Sequence, residues 1–395
     1  MINPRMQELG SKRSVIRELF EYGKKQKALL GDEAVYDFSL GNPSVPAPNV
    51  VKDELLGLLQ NEDSVALHGY TSAEGDFGVR TKIAEYISKT HGVTASAEAI
   101  YMTVGAAAAL TISLNAILTE GEEIITIAPY FPEYKVFVEG AGGRLISVPA
   151  RGDNFYPDIQ KIGAAINERT AAIIINSPNN PTGAVYDEES IEALANMLRK
   201  KSAEIGKTIY LISDEPYREL VYGDAEVPYL TKFYDNTLVC YSFSKSLSIP
   251  GERIGYIFIS PTMVDFQSVR KAICGAGRSL GFVCAPSMLQ RLVARCLGKT
   301  ADIEIYDINR KMLVFALREY GYEVVEPKGA FYLFIKSPSG DGAEFSERAK
   351  GLGILIVPSE DFGTAGYARL SYCVKTEMIE RALPHFKKLM ESYKK

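Results

Sequence analysis

Short apolar runs alternate with amphipathic segments through the first three-quarters of the chain. Seven runs rich in Val, Ile, Leu and Tyr lie at 100–104, 122–127, 145–148, 171–176, 208–213, 237–241 and 254–260. Most are apolar on both faces, as strands are when helices cover both sides of a sheet. The pattern therefore predicts an α/β protein with a mostly parallel seven-stranded sheet between helices. Helices are predicted at 105–118, 188–205 and 287–297, the last directly after Pro286.

The pattern changes after about residue 300. A long amphipathic segment at 302–320 is followed by short strands around 330–335 and 368–372 and by a charged closing helix at 377–393. Such a run of mixed elements is typical of a smaller α+β domain. We predict an N-terminal arm with part of the small domain at 1–47, a large domain at 48–298, and a C-terminal small domain at 299–395.

Composition narrows the functional class. Of 395 residues, 46% are hydrophobic and 24% are charged, which is the profile of a globular protein. With 44 basic and 49 acidic side chains the net charge is −5. The chain lacks the basic surface of a nucleic-acid binder, and no apolar stretch is long enough to span a membrane. Five cysteines without a Cys-x-x-Cys spacing indicate a reduced, cytoplasmic protein, and three scattered histidines predict no metal site.

Candidate chemistry lies at the ends of the predicted strands, where open α/β sheets bind ligands. Val104 is followed by Gly105, Ala106 and Ala107 at the start of a helix. Free backbone N–H groups there would bind an anion such as phosphate, although tight packing explains the small residues equally well. After Asn176 comes a polar turn at 177–183 that, by itself, predicts only a rigid loop.

Two further strand ends carry ionisable side chains. Asp214 and Tyr217 follow the fifth strand, where a carboxylate alone would often be a helix N-cap. Lys245 follows the sixth strand, with Arg253 eight residues later. If Lys245 is partly desolvated and near Arg253, its pKa should fall, which suits a lysine that forms Schiff bases.

Eight segments together resemble the class I/II aminotransferases, a family of fold-type I pyridoxal-phosphate (PLP) enzymes. They occur in the family's order across nearly the whole chain: SLGNP at 39–43, GY at 69–70, VGAA at 104–107, NPTG at 180–183, DEPY at 214–217, SFSK at 242–245, GERIG at 251–255 and ARLS at 368–371. The resemblance implies the fold-type I PLP-dependent transferase fold, similar to aspartate aminotransferase, with the cofactor in the large domain.

The resemblance implies three catalytic residues. Lys245 would form a Schiff base with PLP and then move a proton between the substrate Cα and the cofactor. Asp214 would pair with the protonated pyridine nitrogen and keep the ring an electron sink. Tyr217 and Asn180 would both hydrogen-bond the phenolic oxygen of the ring.

Further cofactor and substrate contacts follow from the same resemblance. The phosphate would be held by Ser242, Ser244, Arg253, Gly105, Ala106 and Ala107, and by Tyr70 of the second subunit of a homodimer. Phe131 would stack on the pyridine ring. Arg369 would bind the substrate α-carboxylate, with Gly41 and Asn180 lining the same site.

Three departures from the family bear on stacking and specificity. Many relatives stack a tryptophan on the cofactor, whereas this chain has no Trp, so Phe131 or Tyr130 must serve. Some bacterial aspartate aminotransferases have a lysine where this chain has Ala107, which argues against strict aspartate specificity. Arg278 lies near the position from which other relatives supply an arginine for a distal carboxylate, but an exposed surface arginine is the alternative.

The sequence thus predicts a PLP-dependent aminotransferase that exchanges the amino group of an L-amino acid with a 2-oxo acid. Aspartate, alanine and aromatic amino acids all remain candidate donors. A PLP-dependent carbon–sulfur β-lyase of the same fold is the main alternative, because it would share nearly every motif. A PLP-binding transcriptional regulator is a second alternative, disfavoured because no winged-helix segment precedes Gly41.

Overall fold

The computed structural model of the protein describes residues 2–11 and 14–394. Its helices are α1 (Pro4–Ser11), α2 (Val15–Leu30), α3 (Asn49–Asn61), α4 (Ser64–His68), α5 (Phe77–His91), α6 (Ala106–Ile117), α7 (Glu133–Gly140), α8 (Ile159–Ala165), α9 (Glu188–Ile205), α10 (Phe243–Ser246), α11 (Phe266–Leu280), α12 (Ser287–Arg295), α13 (Glu304–Tyr320), α14 (Gly342–Lys350) and α15 (Thr376–Glu391). Short 3₁₀ turns lie at Asp32–Ala34, Ala97–Ala99, Leu230–Lys232 and Glu360–Phe362.

The strands are β1 (Tyr36–Asp37), β2 (Ile100–Thr103), β3 (Glu123–Ala128), β4 (Arg144–Pro149), β5 (Thr170–Asn176), β6 (Tyr210–Glu215), β7 (Thr237–Ser242), β8 (Gly255–Ile259), β9 (Tyr332–Lys336), β10 (Ile354–Leu355), β11 (Val357–Pro358) and β12 (Tyr367–Ser371). Strands β2 to β8 form one sheet in the order β2-β8-β7-β6-β5-β3-β4. Only β8 runs antiparallel to its neighbours. The predicted sheet is confirmed, with every strand within two residues of its predicted bounds.

Alternate residues of the central strands pack on opposite faces of the sheet, because side chains in a strand point to alternate sides. Ile124, Ile174 and Ile212 pack with buried residues of α6, α7 and α11. Ile125 and Ile173 pack on the other face with residues of α8 and α9. Both faces are covered, which explains why the strands read as continuous apolar runs.

The C-terminal part contains a second core. Strands β11, β12 and β9 form a three-stranded antiparallel sheet, while β1 pairs with β10 in parallel. Buried side chains of α13 and α15 pack together with Tyr36 and Phe38 from the N-terminal region. The division at 47 and 298 stays a prediction. Among the described residues, no helix is both long and apolar enough to cross a bilayer. The cytoplasmic location also stays a prediction.

Reversal of β8 brings one more segment to the ligand-binding edge of the sheet. The carboxyl ends of β2 and β7 lie at this edge, and Thr103 and Ser242 both pair with Gly255, the first residue of β8. Because β8 runs the other way, its amino end lies beside those carboxyl ends. Arg253, two residues before β8, is therefore placed next to the residues that follow β2 and β7.

Candidate active site

Lys245 projects from α10, the short helix that follows β7 at the edge of the sheet. Its Nζ donates a hydrogen bond to the carbonyl of Gly41, 2.7 Å away. The same Nζ lies 5.4 Å from the centroid of the Phe331 ring. The structure thus brings together three segments that lie far apart in the sequence.

Burial lowers the pKa of Lys245 to about 8, and the nearby cations Arg253 and Arg369 contribute to the shift. This is the shift that the sequence predicts for a desolvated lysine near Arg253. At pH 7.5 roughly a quarter of such amines are uncharged, compared with about one in a thousand at an ordinary lysine pKa. Only the uncharged amine is a nucleophile, so Lys245 is suited to attack a carbonyl carbon.

Asp214 is buried one residue before the end of β6. The sequence placed it just after this strand, but the strand continues because Asp214 and Glu215 pair with Cys240 and Tyr241 of β7. The Tyr134 hydroxyl donates to Asp214 Oδ2 at 2.5 Å. Oδ1 is buried without a hydrogen-bond partner. Burial raises the pKa of Asp214 to about 7, against the lowering effect of the Tyr134 hydrogen bond.

Glu215, the next residue, takes no part in this site. It points to the opposite face of the strand, where it accepts hydrogen bonds from Ser213 and Arg218. Of the two adjacent carboxylates, only Asp214 therefore keeps a free oxygen.

Tyr217 and Asn180 lie on the two loops that follow β6 and β5. The Tyr217 hydroxyl is 2.9 Å from the hydroxyl of Tyr332. Asn180 is held through its backbone N–H, which donates to Asn176 Oδ1 at 2.7 Å. Its side-chain oxygen accepts from Arg369 Nη1 at 3.0 Å. The polar turn that predicted only a rigid loop thus positions an amide beside an arginine.

Arg369, on β12, is 2% exposed and has no carboxylate partner among the described residues. Nη2 donates to the carbonyl of Ser39 at 2.6 Å, while Nε is buried without a partner. The guanidinium lies 4.6 Å from the ring centroid of Tyr332 and 5.2 Å from that of Phe362. A buried arginine without a counter-charge is costly unless an anion is bound, so Arg369 is suited to a carboxylate ligand.

An anion cradle is formed by Gly105, the start of α6, Ser242, Ser244 and Arg253. Ser242 donates to Ser244 at 2.9 Å, and Arg253 Nη1 donates to the Ser244 hydroxyl at 3.3 Å. Gly105 has φ +89°, and a Cβ there would lie 2.9 Å from Arg253 Nη2. The backbone N–H groups of the first turn, at Ala106 and Ala107, lack intrahelical partners. Guanidinium, hydroxyls and helix N-terminus together favour an anion.

Of the other predicted site residues, Phe131 and Gly41 lie near the site within one chain, whereas Tyr70 and Arg278 do not. Phe131 contacts Tyr134 edge-on, with ring centroids 5.7 Å apart, and is therefore one ring away from Asp214. Gly41 accepts from Lys245, as described. Tyr70 is 99% exposed, and Arg278 is exposed in the last turn of α11, so neither joins the cluster within a single chain.

Comparison with known proteins decides the family. The profile described as aminotransferase class I and II matches residues 33–386. The chain belongs to this aminotransferase family. It is 31% identical over 396 residues to an aspartate aminotransferase of Pyrococcus horikoshii, with 97% of this chain and 96% of the relative covered.

Solved structures agree with this assignment. A crystal structure of an amino transferase from Eubacterium rectale has a TM-score of 0.98 and 52% identity, with both chains covered in full. Aspartate aminotransferase from Thermus thermophilus, solved with maleate, has a TM-score of 0.86 and 28% identity, covering 98% of this chain and 99% of that one. The predicted fold class is confirmed.

This aminotransferase is accordingly a PLP-dependent enzyme that acts on amino and oxo acids. The comparisons give no support to the β-lyase alternative, and they identify an enzyme rather than a regulator.

The residues of the aminotransferase site fit the cofactor. Asp214 Oδ1 is a buried acceptor without a donor, which suits a protonated ring nitrogen. The anion cradle suits a phosphate, and Lys245 is an amine of lowered pKa. A ring nitrogen, a phosphate and an aldehyde are three of the groups that PLP presents.

Sequence reasoning missed two side chains of the aminotransferase site. Tyr134 lies 80 residues from Asp214, and Tyr332 lies 115 residues from Tyr217. Tyr134 lies in the first turn of α7, and Tyr332 begins an apolar strand run, where a tyrosine reads as an ordinary core residue. For Tyr332, a polar hydroxyl in an apolar run was the available signal, because buried hydroxyls need partners.

Proposed function

We propose that this aminotransferase transfers the amino group of an L-amino acid to a 2-oxo acid, with Lys245 as the residue that attaches PLP and moves the proton. The observation that carries the proposal is the placement of Lys245 near Arg369: an amine of lowered pKa lies near a buried guanidinium that has no carboxylate partner among the described residues. Arg369 would fix the α-carboxylate, so that the substrate Cα comes within reach of Lys245 Nζ.

The remaining site residues would bind the cofactor and orient it. When bound, PLP supplies a ring that withdraws electrons from the substrate Cα. Asp214 would hold the ring nitrogen protonated through Oδ1, since a buried carboxylate needs a cationic partner. Tyr217 and Asn180 would donate to the phenolic oxygen, the anion cradle would hold the phosphate, and Phe131 would stack on the ring.

Aspartate is the first donor to test, with alanine and the aromatic amino acids as the other candidates. Relatives from Pyrococcus horikoshii and Thermotoga maritima bear the name aspartate aminotransferase, and one from Thermococcus litoralis is named an aromatic-amino-acid aminotransferase. Within one chain, Arg369 supplies a single carboxylate site. Arg278 of a second copy is the candidate for a second site, which would bind the aspartate side chain.

We further propose a homodimer in which Tyr70 reaches the anion cradle of the partner subunit. A tyrosine that is 99% exposed leaves its ring in water, which is unfavourable for an aromatic side chain in a lone chain. Phe77, at 66% exposure, lies on the same stretch of chain. Large exposed rings favour contact with a second surface.

The decisive experiment adds single L-amino acids to PLP-loaded protein without any oxo acid. We expect one donor to bleach the cofactor's visible band in a single turnover, releasing its oxo acid and leaving pyridoxamine phosphate. D-aspartate serves as the control, because when its carboxylate and amine occupy the same places, its Cα hydrogen and side chain exchange positions and the proton no longer faces Lys245. Accumulation of pyruvate and ammonia from cystathionine with a persistent band would instead show a β-lyase.

Substituting Arg369 by lysine should raise the KM for the amino acid roughly tenfold to a hundredfold and change kcat less. Lysine keeps the charge but loses the paired N–H groups and the planar contact with the flanking rings. Steady-state kinetics test this, and Arg278→Ala is the companion variant, expected to raise KM for aspartate but not for alanine. An unchanged KM in Arg369→Lys would mean that the α-carboxylate binds elsewhere.

A further inference from the structure

Tyr332 contacts three residues of the proposed site although no catalytic role is assigned to it above. Its hydroxyl lies 2.9 Å from the Tyr217 hydroxyl, and its ring faces Arg369 at 4.6 Å. A Cβ on Gly41 would collide with the Tyr332 hydroxyl. The side chain is 3% exposed. Tyr332 therefore packs against residues that are expected to bind the cofactor and the substrate.

Each of the two hydroxyls has one proton that it can donate in a hydrogen bond. Burial raises the pKa of Tyr332 to about 12 and that of Tyr217 well above its usual value, so both phenols are protonated at neutral pH. Among the described residues, the only hydrogen-bond partner of the Tyr332 hydroxyl is Tyr217. If Tyr217 donated to Tyr332, the Tyr332 proton would have no acceptor, and a buried unpaired donor is costly.

In the opposite direction, the Tyr332 proton is paired and only the Tyr217 proton lacks an acceptor among the described residues. When Tyr332 donates to the Tyr217 oxygen, the Tyr217 proton is free to point at another acceptor. A hydroxyl that accepts a hydrogen bond is also a stronger donor, because hydrogen bonds in a chain polarise one another. Under the proposed function, on which this inference rests, that acceptor is the phenolic oxygen of PLP.

We propose that Tyr332 is a positioning residue that donates to Tyr217 and thereby directs the Tyr217 proton to the cofactor's phenolic oxygen. Loss of the Tyr332 hydroxyl would weaken that donation. Negative charge on the phenolic oxygen would then be less stabilised, so the bound cofactor would hold its proton to higher pH.

Other ionisable groups around the two phenols stay in place when the hydroxyl is removed. Arg369 on β12, Asp214 on β6 and Cys373 after β12 contribute to the electrostatics of this tyrosine pair, and Lys245 lies on the neighbouring α10. Tyr332→Phe deletes only one oxygen and keeps the ring against Arg369 and Gly41. A change in proton affinity would therefore report the lost hydrogen bond.

The test is a pH titration of the visible absorption of PLP-loaded protein. Tyr332→Phe should raise the midpoint pH of the absorption change by about half a pH unit to one unit. This is roughly a threefold to tenfold change in the proton affinity of the bound cofactor. The KM for the amino acid should stay near the wild-type value, because the contact with Arg369 survives. Tyr222→Phe is the matched control: its buried hydroxyl donates to the carbonyl of Ala330, and the midpoint should not move.

A double-mutant cycle tests whether Tyr332 acts through Tyr217. In a Tyr217→Phe background, Tyr332→Phe should add no further shift. An equal shift in both backgrounds, or no shift in Tyr332→Phe when Tyr217→Phe moves the midpoint, would overturn the inference while leaving the proposed function intact. If Tyr217→Phe itself leaves the midpoint unmoved, the role of Tyr217 in the proposed function fails, and the inference fails with it.

Discussion

Replacing Lys245 by alanine is expected to lower turnover by roughly four orders of magnitude and to abolish covalent attachment of the cofactor. The variant removes the amine of lowered pKa that lies 2.7 Å from the Gly41 carbonyl. No other lysine is placed among the site residues described above, so none replaces it. Single-turnover kinetics and mass spectrometry after borohydride reduction measure the two losses.

Two control variants test whether the loss of turnover comes from the missing Lys245 amine or from the removal of a positive charge. Lys245→Arg keeps a cation near Gly41 but supplies no amine that can attack an aldehyde, so it should be as inactive as the alanine variant. Lys271→Ala removes an exposed lysine of α11 and should behave as wild type. A small primary amine added to Lys245→Ala should restore part of the proton transfer. Multiple turnovers by Lys245→Ala alone would refute the assignment.

Replacing Asp214 by asparagine is expected to lower kcat by roughly two to three orders of magnitude. Asparagine has nearly the same shape and still accepts the Tyr134 hydrogen bond, but it carries no charge to keep a ring nitrogen protonated. The cofactor should also dissociate more readily. Asp214→Glu, which keeps the charge but displaces it, should lose less activity. Wild-type turnover by Asp214→Asn would exclude the proposed pairing.

The cofactor-free protein offers a readout independent of activity. Burial raises the pKa of Asp214 from 3.8 to about 7, so between these values the folded chain holds a proton that the unfolded chain releases. The free energy of unfolding should therefore fall as pH rises through this window. Asp214→Asn should remove this contribution to the pH dependence of the free energy of unfolding. Asp235→Asn, at an exposed loop position, should retain it. Urea titrations at several pH values test this.

The sequence predicted those strands and helices whose burial leaves a regular apolar pattern along a single element. All seven strands of the main sheet were predicted from their apolar runs, most of which are apolar on both faces, and α9 was predicted at its observed bounds, Glu188–Ile205. The N-terminal helices were not predicted. α1 has no buried residue, and α2 buries only Leu19 and Gly23, so the hydrophobic core of the described chain hardly involves them.

The sequence by itself determined the sheet, the residue types at its ligand-binding edge and the family, because motifs after successive strands converge wherever those strands lie side by side. Tertiary structure decided how those residues meet. Asp214 receives its hydrogen bond from 80 residues away, the Tyr217 hydroxyl pairs with one that is 115 residues away, and Gly41 accepts from Lys245 across 204. Such contacts depend on the packing of separate elements, and no local periodicity encodes which buried hydroxyl reaches which partner.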